Sequence, residues 1–499
     1  MAIADSNTLT TQEPKVSRWT KIIYGSGDWG RASFNTIRQF FYAIFLTDVV
    51  GLDARLASFA ALISIIWDAI NDPIVGALSD NVRTRWGRRR PFLLIFSVPF
   101  ILAFVLLWWA PTWKSQFLLM LHVTLAYMVS DTIQTLITVP YLALTPEIAS
   151  GYDDRTSLTS YRMFFNLAAS LVTAVAAPSI MDAAVHSGTT LQQAYLIIAA
   201  LFGSLAAIPY ILVFFFVREG EISQEVPDQH FSFTQVLSHL WKNTPFRFAT
   251  GIYVLNWIAV DLEGLMIPFF LLYWIAQGDL LAKVNLFGVK ISLESVVLGF
   301  LLLSATLAIP FWSWFAKRTS KRMAYMIGMS FWVVVQFFVF GLQPGQVWLI
   351  ILFVSLAGLS VSTAHIIPDA IFPDVIDWDE FTTNARREGL YYGAINFIRK
   401  LSSAMAIFLA LQALGWFGYQ SPPKDAMLFT QPPQAILAIR LMTGPFIVVL
   451  LLLAIFFAWG FPITRERQNR VRISLLRRRK KKKAADVAGQ PPLEHENKT

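Results

Sequence analysis

The stretch that decides the fold lies at residues 441–460, which read LMTGPFIVVLLLLAIFFAWG and contain no charged residue. An α-helix needs about 20 apolar residues to cross the hydrocarbon core of a bilayer. The rest of the chain has the same character, because 55% of its 499 residues are hydrophobic and only 15% are charged. Soluble proteins carry about 25% charged residues, so this composition predicts a membrane protein and excludes a large soluble enzyme or a disordered chain.

Outward from that stretch, eleven more apolar segments bring the predicted number of transmembrane helices to twelve. The spans lie near 22–48, 53–79, 91–110, 116–145, 157–182, 191–217, 248–276, 294–316, 323–342, 347–373, 389–417 and 434–462. A polar interval follows the sixth span, as in duplicated transporter bundles. We therefore predict an all-α membrane protein whose twelve helices form two six-helix bundles. The predicted parts are an N-terminal segment (1–21), a bundle (22–217), a linker (218–247), a second bundle (248–463) and a basic tail (464–499).

The positive charge of the chain is concentrated in that tail. Eleven basic residues and one acidic residue lie between Arg465 and Lys483, whereas the net charge of the whole chain is +9. Basic loops stay on the cytoplasmic side, so the tail and the loops at Arg83–Arg90 and Lys317–Arg322 predict that both termini face the cytoplasm of a cell's inner (plasma) membrane. Basic residues spread over a folded face, as nucleic-acid binding requires, are not seen.

An acidic pair lies within the second span, in the run Trp67-Asp68-Ala69-Ile70-Asn71-Asp72-Pro73. Asp68 and Asp72 are one turn apart on one helix face, and two carboxylates in a low dielectric need a proton or a cation between them. Hard oxygen donors suit Na⁺. Two acids that cap the helix near its cytoplasmic end are the alternative. On the fourth span, Thr135 could complete a cation shell or could hold helices together.

Further polar residues lie inside other predicted spans, where each charge is costly and needs a reason. Asp28, Arg31, Asn35 and Arg38 share one stripe of the first span, and either a solute site or a structural ion pair would explain them. Asp261 and Glu263 are expected to face different sides close to the outer surface, and His365 to be a hydrogen-bonded packing residue. No nucleophile with its base, no zinc-ligand spacing and no cysteine is present, so we predict neither an enzyme nor a bound cofactor.

Several motifs together resemble the glycoside–pentoside–hexuronide:cation symporter family, the melibiose-permease-like branch of the major facilitator superfamily. They run in order along nearly the whole chain: Tyr24-Gly25-Ser26-Gly27, Thr47-Asp48-Val49-Val50-Gly51-Leu52, Trp67 to Pro73, Arg85-Trp86-Gly87-Arg88, Val139-Pro140-Tyr141, Asp154-Arg155-Thr156, Pro373-Asp374-Val375-Ile376-Asp377 and Arg387-Glu388-Gly389 followed by Lys400. The resemblance implies the major facilitator fold and cation-coupled transport.

The resemblance also assigns residues. It implies a cation site of Asp68, Asn71, Asp72 and Thr135, with Na⁺ as the candidate ion at Asp68 and Asp72, and it places Lys400 near the solute cavity. Three positions depart from the melibiose permease. Ala32 and Thr138 stand where that protein has sugar-reading aspartates, and Leu142 replaces a tryptophan. We therefore expect the cation machinery to be kept while the galactoside-reading acids are absent.

The working hypothesis is symport of a glycoside or a related sugar by alternating access. The excess of arginine and lysine among the candidate solute-binding residues favours an anionic solute such as a uronide. Those residues are Asp28, Arg31, Asn35, Thr138, Arg162, Asn396 and Lys400, and the candidate cytoplasmic gate residues are Asp80, Arg88, Asp374, Asp377 and Arg386.

Two alternatives remain open. One is a transporter of an amphipathic, lysolipid-like solute, and the other is a membrane sensor that binds its ligand without transporting it. We expect a monomer in the lipid bilayer whose partners are the solute and a coupling ion, which could be Na⁺, H⁺ or Li⁺.

Overall fold

A computed structural model describes residues 16–149, 152–219, 233–385, 387–423 and 426–487. These parts of the chain are almost entirely helical, and ten of their helices are long and apolar enough to cross a membrane. The first and third predicted spans fall outside that set of ten. The first forms α1 (Arg18–Ile44) and continues as a π-helical turn (Phe45–Val49), but it carries the charged residues Asp28, Arg31 and Arg38.

The third predicted span, 91–110, is divided into two short helices. They are α3 (Arg90–Ile95) and α4 (Ser97–Leu107), separated at Phe96, whose backbone angles are φ −91° and ψ −1°. Pro99 explains the interruption, because it has no N–H to donate to the carbonyl four residues earlier, that of Ile95, and its ring crowds that carbonyl.

The residues group into two units by their contacts. The N-terminal unit contains residues up to Val50 together with Ile66–Pro227, and the C-terminal unit contains Gly51–Ile65 together with the chain from Asp228 onward. The boundary therefore falls inside α2 (Ala54–Asn81). In the N-terminal unit α2 is followed by α3, α4, α5 (Gln116–Ala143), α6 (Thr145–Ile148), α7 (Tyr152–His186) and α8 (Leu191–Phe216).

The C-terminal unit holds the remaining elements. They are α9 (Phe233–Lys242), α10 (Thr244–Phe270) with a π-helical turn (Leu271–Ile275), β1 (Lys283–Leu286), β2 (Val289–Ser292), α11 (Leu293–Arg318), α12 (Lys321–Phe340), α13 (Val347–Thr383), α14 (Glu388–Trp416), α15 (Pro433–Thr443), α16 (Pro445–Gly460) and α17 (Arg465–Val487). Within this unit α11 and α12 pack on α13, and α10 packs on α13, α14 and α16.

Two glycines bring α1 close to its neighbours α7 and α8 in the N-terminal unit. A Cβ atom on Gly25 would lie 2.9 Å from the Cβ of Tyr161 on α7, and one on Gly30 would lie 2.6 Å from the carbonyl oxygen of Ala206 on α8. Membrane helices lack a hydrophobic force between them, so small residues that allow close van der Waals contact stabilise such interfaces. This packing fixes α1, which carries Asp28 and Arg31, against α7 and α8.

Three elements were not predicted from the sequence. β1 and β2 form an antiparallel hairpin in which Leu286 pairs with Val289, and α9 lies inside the interval predicted to be a linker. The predicted basic tail begins with a helix, α17, although its sequence is rich in like charges. Contacts between α17 and α13 support that helix.

Candidate functional site

The predicted cation-site residues lie on α2 and α5 of the N-terminal unit. Asp68 and Asp72 are each partly buried, and the Thr135 hydroxyl lies 3.3 Å from Oδ1 of Asp72. Asn71 is 3% exposed, and its buried Nδ2 atom has no hydrogen-bond partner among the described residues. The structure thus brings Thr135 to the acidic pair.

A guanidinium lies close to this pair. Arg38 of α1 interacts electrostatically with Asp68, and its Nη1 atom is 3.5 Å from Oδ1 of Asp131 on α5. Its guanidinium also lies over the rings of Phe34 and Tyr127, at 5.3 and 5.2 Å from their centroids. Sequence reasoning did not assign Arg38 to the cation site, although its presence in a span marks it as a residue with a specific role.

The local charge follows from these contacts. Arg38 brings one positive charge near the carboxylates of Asp68 and Asp131. In the described part of the chain no three His, Asp or Glu side chains come together in the way that a divalent-metal site requires. Two carboxylates with a hydroxyl and an amide are instead a donor set for a monovalent cation.

Asp28 is at the centre of a buried ion-pair cluster. The residue is fully buried, and its carboxylate accepts hydrogen bonds from Nε of Arg31 at 2.9 Å and from Nε of Arg162 at 2.5 Å. The Tyr141 hydroxyl donates to the same carboxylate at 3.4 Å, and its ring lies 5.5 Å from the Arg162 guanidinium. The carboxylate of Asp28 is thus enclosed by groups of this chain. The cluster keeps a net charge of +1, and its Arg31 side chain is 28% exposed.

The other residues predicted to bind the solute are scattered around these two clusters or lie on another helix. The Asn35 side-chain oxygen accepts from Gln134 and Arg38, both at 3.4 Å, and Thr138 lies beside the Tyr210 hydroxyl. On α14 of the C-terminal unit, Asn396 is exposed and Lys400 is half-buried.

The C-terminal unit has an ion pair that sequence reasoning missed. Arg399 donates to both carboxylate oxygens of Asp261, at 2.6 and 2.9 Å, and the Ser403 hydroxyl is 2.5 Å from the same carboxylate. The Arg399 guanidinium also lies 3.9 Å from the centroid of the Trp257 ring. The sequence shows one charged residue in each of the two spans. Because they are 138 residues apart, it does not show that the two side chains pair.

Asp261 and Glu263 are both buried, at 8% and 5% exposure, and their partners lie on different helices, as expected of acids that face different sides. Glu263 accepts a hydrogen bond from Gln336 at 2.6 Å. His365 is a hydrogen-bonded packing residue as predicted, since its Nδ1 lies 2.9 Å from the Val361 carbonyl and its ring packs edge-on against Trp257.

The predicted gate residues of the N-terminal unit belong to an ionic network. Asp80 lies 2.8 Å from Arg89 and 3.9 Å from Arg88, and Glu147 lies 2.8 Å from Arg89 and 3.1 Å from Arg88. Glu219 accepts hydrogen bonds from the three successive backbone N–H groups of residues 88–90 at 2.6–2.8 Å. Asp80 and Arg88 were predicted to belong here, whereas Glu147 and Glu219 were not.

The predicted gate residues of the C-terminal unit do not belong to that network. Asp374 is 2.6 Å from Nζ of Lys321 and also accepts from Gln468 of α17, and Asp377 is half-buried. Arg386, the remaining predicted gate residue, lies outside the described residues.

Comparisons with known proteins agree with this architecture. The family model described as MFS/sugar transport protein matches residues 23–465. The chain is 27% identical to the "Uncharacterized symporter sll1374" of Synechocystis sp., over 91% of this chain and 96% of that protein. It is also 27% identical to the sodium-dependent lysophosphatidylcholine symporter 1 of Xenopus tropicalis, over 93% and 91% of the two chains. The sphingosine-1-phosphate transporter MFSD2B of Xenopus tropicalis is 24% identical over 93% and 92%.

Solved structures show the same fold. A bacterial homologue of the human drug peptide transporters PepT1 and PepT2 superposes with a TM-score of 0.63 at 12% identity, covering 91% of this chain and 98% of that one. The nucleoside transporter NupG gives a TM-score of 0.53 at 15% identity, covering 89% and 98%. Two helical units with charged residues inside their spans, a family match over most of the chain and these neighbours lead to one conclusion: the chain belongs to the MFS/sugar transport protein family and is a multi-pass membrane transporter with the major facilitator fold.

Proposed function

We propose that this protein is a cation-coupled symporter of an amphipathic solute with a negatively charged headgroup, of the lysophospholipid class. Relatives named as sodium-dependent lysophosphatidylcholine symporters and as a sphingosine-1-phosphate transporter match over nearly their whole length. This support is stronger than that for a glycoside, which was the expectation from the sequence motifs.

The state of Asp28 is the structural observation that carries the choice of solute. A carboxylate that reads sugar hydroxyls must have free acceptor oxygens, but those of Asp28 are engaged by Arg31, Arg162 and Tyr141. The cluster is also net positive and partly exposed at Arg31. A planar guanidinium that presents several N–H donors suits a phosphate better than a neutral hydroxyl.

The coupling ion in this proposal binds the acidic pair on α2. The Asp68 and Asp72 carboxylates offer a cation both negative charge and oxygen ligands, and Thr135 supplies a further oxygen beside Asp72. Na⁺ is the proposed ion, because hard oxygen ligands suit it and because the lysophosphatidylcholine relatives are named as sodium-dependent.

Coupling between the two sites has a simple physical origin. Helices α1 and α5 each contribute to both sites. Helix α1 carries Arg38 near the proposed cation site and Asp28 of the buried cluster, and α5 carries Asp131 near the cation site and Tyr141 of the cluster. If Na⁺ lowers the free energy of one arrangement of these helices, the solute that prefers that arrangement binds more tightly, and the reverse holds by linkage. Alternating access would then carry both ligands across.

The proposal is tested by uptake into proteoliposomes that contain the purified full-length protein. We expect a labelled lysophospholipid to accumulate under an inward Na⁺ gradient and not when choline replaces Na⁺. Asp72→Asn should abolish this accumulation, because one neutral amide replaces half of the acidic pair. Glu466→Gln, which removes an exposed carboxylate from α17, is the matched control and should leave uptake unchanged.

Accumulation that is unchanged in Asp72→Asn would overturn the assignment of the cation site. Ligand binding without any accumulation in the wild-type protein would instead support the sensor alternative.

Symport of a glycoside is the second candidate. Its support is the description of the matching family, MFS/sugar transport protein, together with the sequence motifs. Labelled glycosides and uronides belong in the same assay as a parallel arm. Na⁺-driven uptake of one of these, with no uptake of the lysophospholipid, would replace the first proposal by the second.

A further inference from the structure

A cavity of about 820 Å³ lies within the C-terminal unit, away from both candidate sites. It is formed by the end of α11, the beginning of α12, the middle of α13 and the beginning of α17. Five basic side chains line it, and Asp374 is the acidic residue among its lining residues. The basic residues are Lys317, Lys321, Arg322, Arg465 and Arg472.

Acidic side chains among the described residues do not balance the positive charge of this cavity. Nζ of Lys321 forms an ion pair with Oδ2 of Asp374 at 2.6 Å. Arg465 donates hydrogen bonds to the backbone carbonyls of Arg318 and Thr319 at 2.8 and 3.2 Å. Across the described ranges, no carboxylate lies within ion-pair distance of Lys317, Arg322 or Arg472. Three cations therefore border the cavity without an acidic partner in the described chain.

Two helix N-termini add to the positive potential. Helix α12 begins at Lys321 after the N-cap Ser320, and α17 begins at Arg465, so both helices start at the cavity wall. The N-terminus of a helix carries a partial positive charge of about half a unit, which adds to the field of the basic side chains.

The remaining wall is apolar. Met326, Ile367 and Ile371 line it, and Met323 and Trp459 lie at its outer edge with 45% and 67% exposure. Tryptophan is enriched where a membrane protein meets the lipid headgroup layer. A small soluble anion would make no favourable contact with these apolar side chains. An amphipathic anion would contact both the basic and the apolar side chains of the cavity.

We propose that this cavity binds an anionic phospholipid of the surrounding membrane. The lipid phosphate would lie among Lys317, Arg322 and Arg472, with an acyl chain along Met323 and Trp459. Such a lipid bridges α17 to the turn between α11 and α12 and so holds the basic helix on the unit. The spans predict that this end of the helices is cytoplasmic, where anionic lipids attract basic segments. The site does not depend on the identity of the transported solute.

The test is native mass spectrometry of the full-length protein in detergent, with phosphatidylglycerol and phosphatidylcholine of the same acyl chains as probes. We expect the wild-type protein to retain phosphatidylglycerol and to retain phosphatidylcholine far less. The Arg322→Gln/Arg472→Gln variant should lose affinity about fivefold for each guanidinium removed, or about 25-fold in total. Lys317→Gln should lose about fivefold.

The matched control is Arg470→Gln/Arg477→Gln. It removes the same charge from exposed positions of α17 that do not line the cavity. Retention within twofold of wild type in this control, with the loss in the cavity variant, supports the site. An equal loss in both double variants would show diffuse surface attraction and overturn it. So would equal retention of the two lipids, or displacement of the lipid by millimolar inorganic phosphate.

Discussion

Removal of Arg162 should destabilise the N-terminal unit far more than removal of an exposed arginine. Its Nε atom donates to Asp28 at 2.5 Å, and the two side chains are 11% and 0% exposed. Taking one partner out of a buried ion pair costs about 3–5 kcal/mol, because the remaining charge stays buried without its counter-ion. Arg31 still contacts Asp28 at 2.9 Å, so we expect the lower end, about 3 kcal/mol, for Arg162→Gln.

Thermal unfolding of the purified protein, followed by intrinsic fluorescence, measures this effect. A unit of about 200 residues shifts its Tm by about 2–4 °C per kcal/mol, which gives a decrease of about 6–12 °C. Arg55→Gln is the control, because Arg55 and its partner Asp53 are 56% and 38% exposed. Solvent screens an exposed pair of this kind, so this variant should shift Tm by a few degrees at most.

A double-mutant cycle identifies the cause. Asp28→Asn in the Arg162→Gln background removes the uncompensated charge and should recover part of the lost stability, whereas two independent sites would give additive losses. Equal shifts in Arg162→Gln and Arg55→Gln, or strict additivity in the cycle, would refute the assignment of Asp28 as the centre of a buried ionic cluster.

Three further predictions concern other contacts. Arg399→Gln should lower the stability of the C-terminal unit by about 3 kcal/mol, measured by the same thermal assay, because it leaves buried Asp261 without its guanidinium. Gly27→Ala should cost about 1–3 kcal/mol, since the added Cβ would collide with the ring of Tyr141, and its lower Tm and yield would report this. Thr135→Ala should raise the Na⁺ concentration for half-maximal uptake about fivefold, in proteoliposomes with varied Na⁺, by removing one oxygen beside the acidic pair.

Each of these has a result that would contradict it. Gly389→Ala is the control for the glycine, because a Cβ there has no atom within 4 Å, and equal losses at both glycines would exclude the steric explanation. An unchanged Tm in the Arg399 variant would mean that water reaches Asp261. An unchanged Na⁺ dependence in the Thr135 variant would place the ion elsewhere.

The sequence allowed the membrane class and most of the spans to be predicted, because a run of about 20 apolar residues is a requirement imposed by the bilayer. We did not predict the division of 91–110 at Phe96, although Pro99 lacks the N–H that would bond to the Ile95 carbonyl and so interrupts the helix there. The hairpin of β1 and β2 was missed because each strand has only four residues. The α17 helix was missed because like charges along it argue against an isolated helix, whereas contacts with α13 support it.

Helical spacing also set the limit of what could be predicted about the sites. It places Asp28 beside Arg31 at i and i+3, and the structure confirms that pair. Arg162 is 134 residues away along the chain, so the pairing that engages Asp28 on its other side required the tertiary structure. For this reason Asp28 could be interpreted from the sequence as a solute ligand. Its contacts with Arg31 and Arg162 in the structure favour a structural and electrostatic role.

The charges within the spans separate into two kinds of cluster, and that separation supports symport. Asp28 and Asp261 are each bound by arginine at 2.5–2.9 Å, which makes them components of the packed units. Asp68 and Asp72 are instead two carboxylates one turn apart on α2, and a pair of negative charges inside a membrane is costly unless a proton or a cation neutralises it. A symporter needs such a site, because its change of conformation must depend on whether the ion is bound. The Asp28 and Asp261 carboxylates need no such ion, because arginines of this chain already bind them.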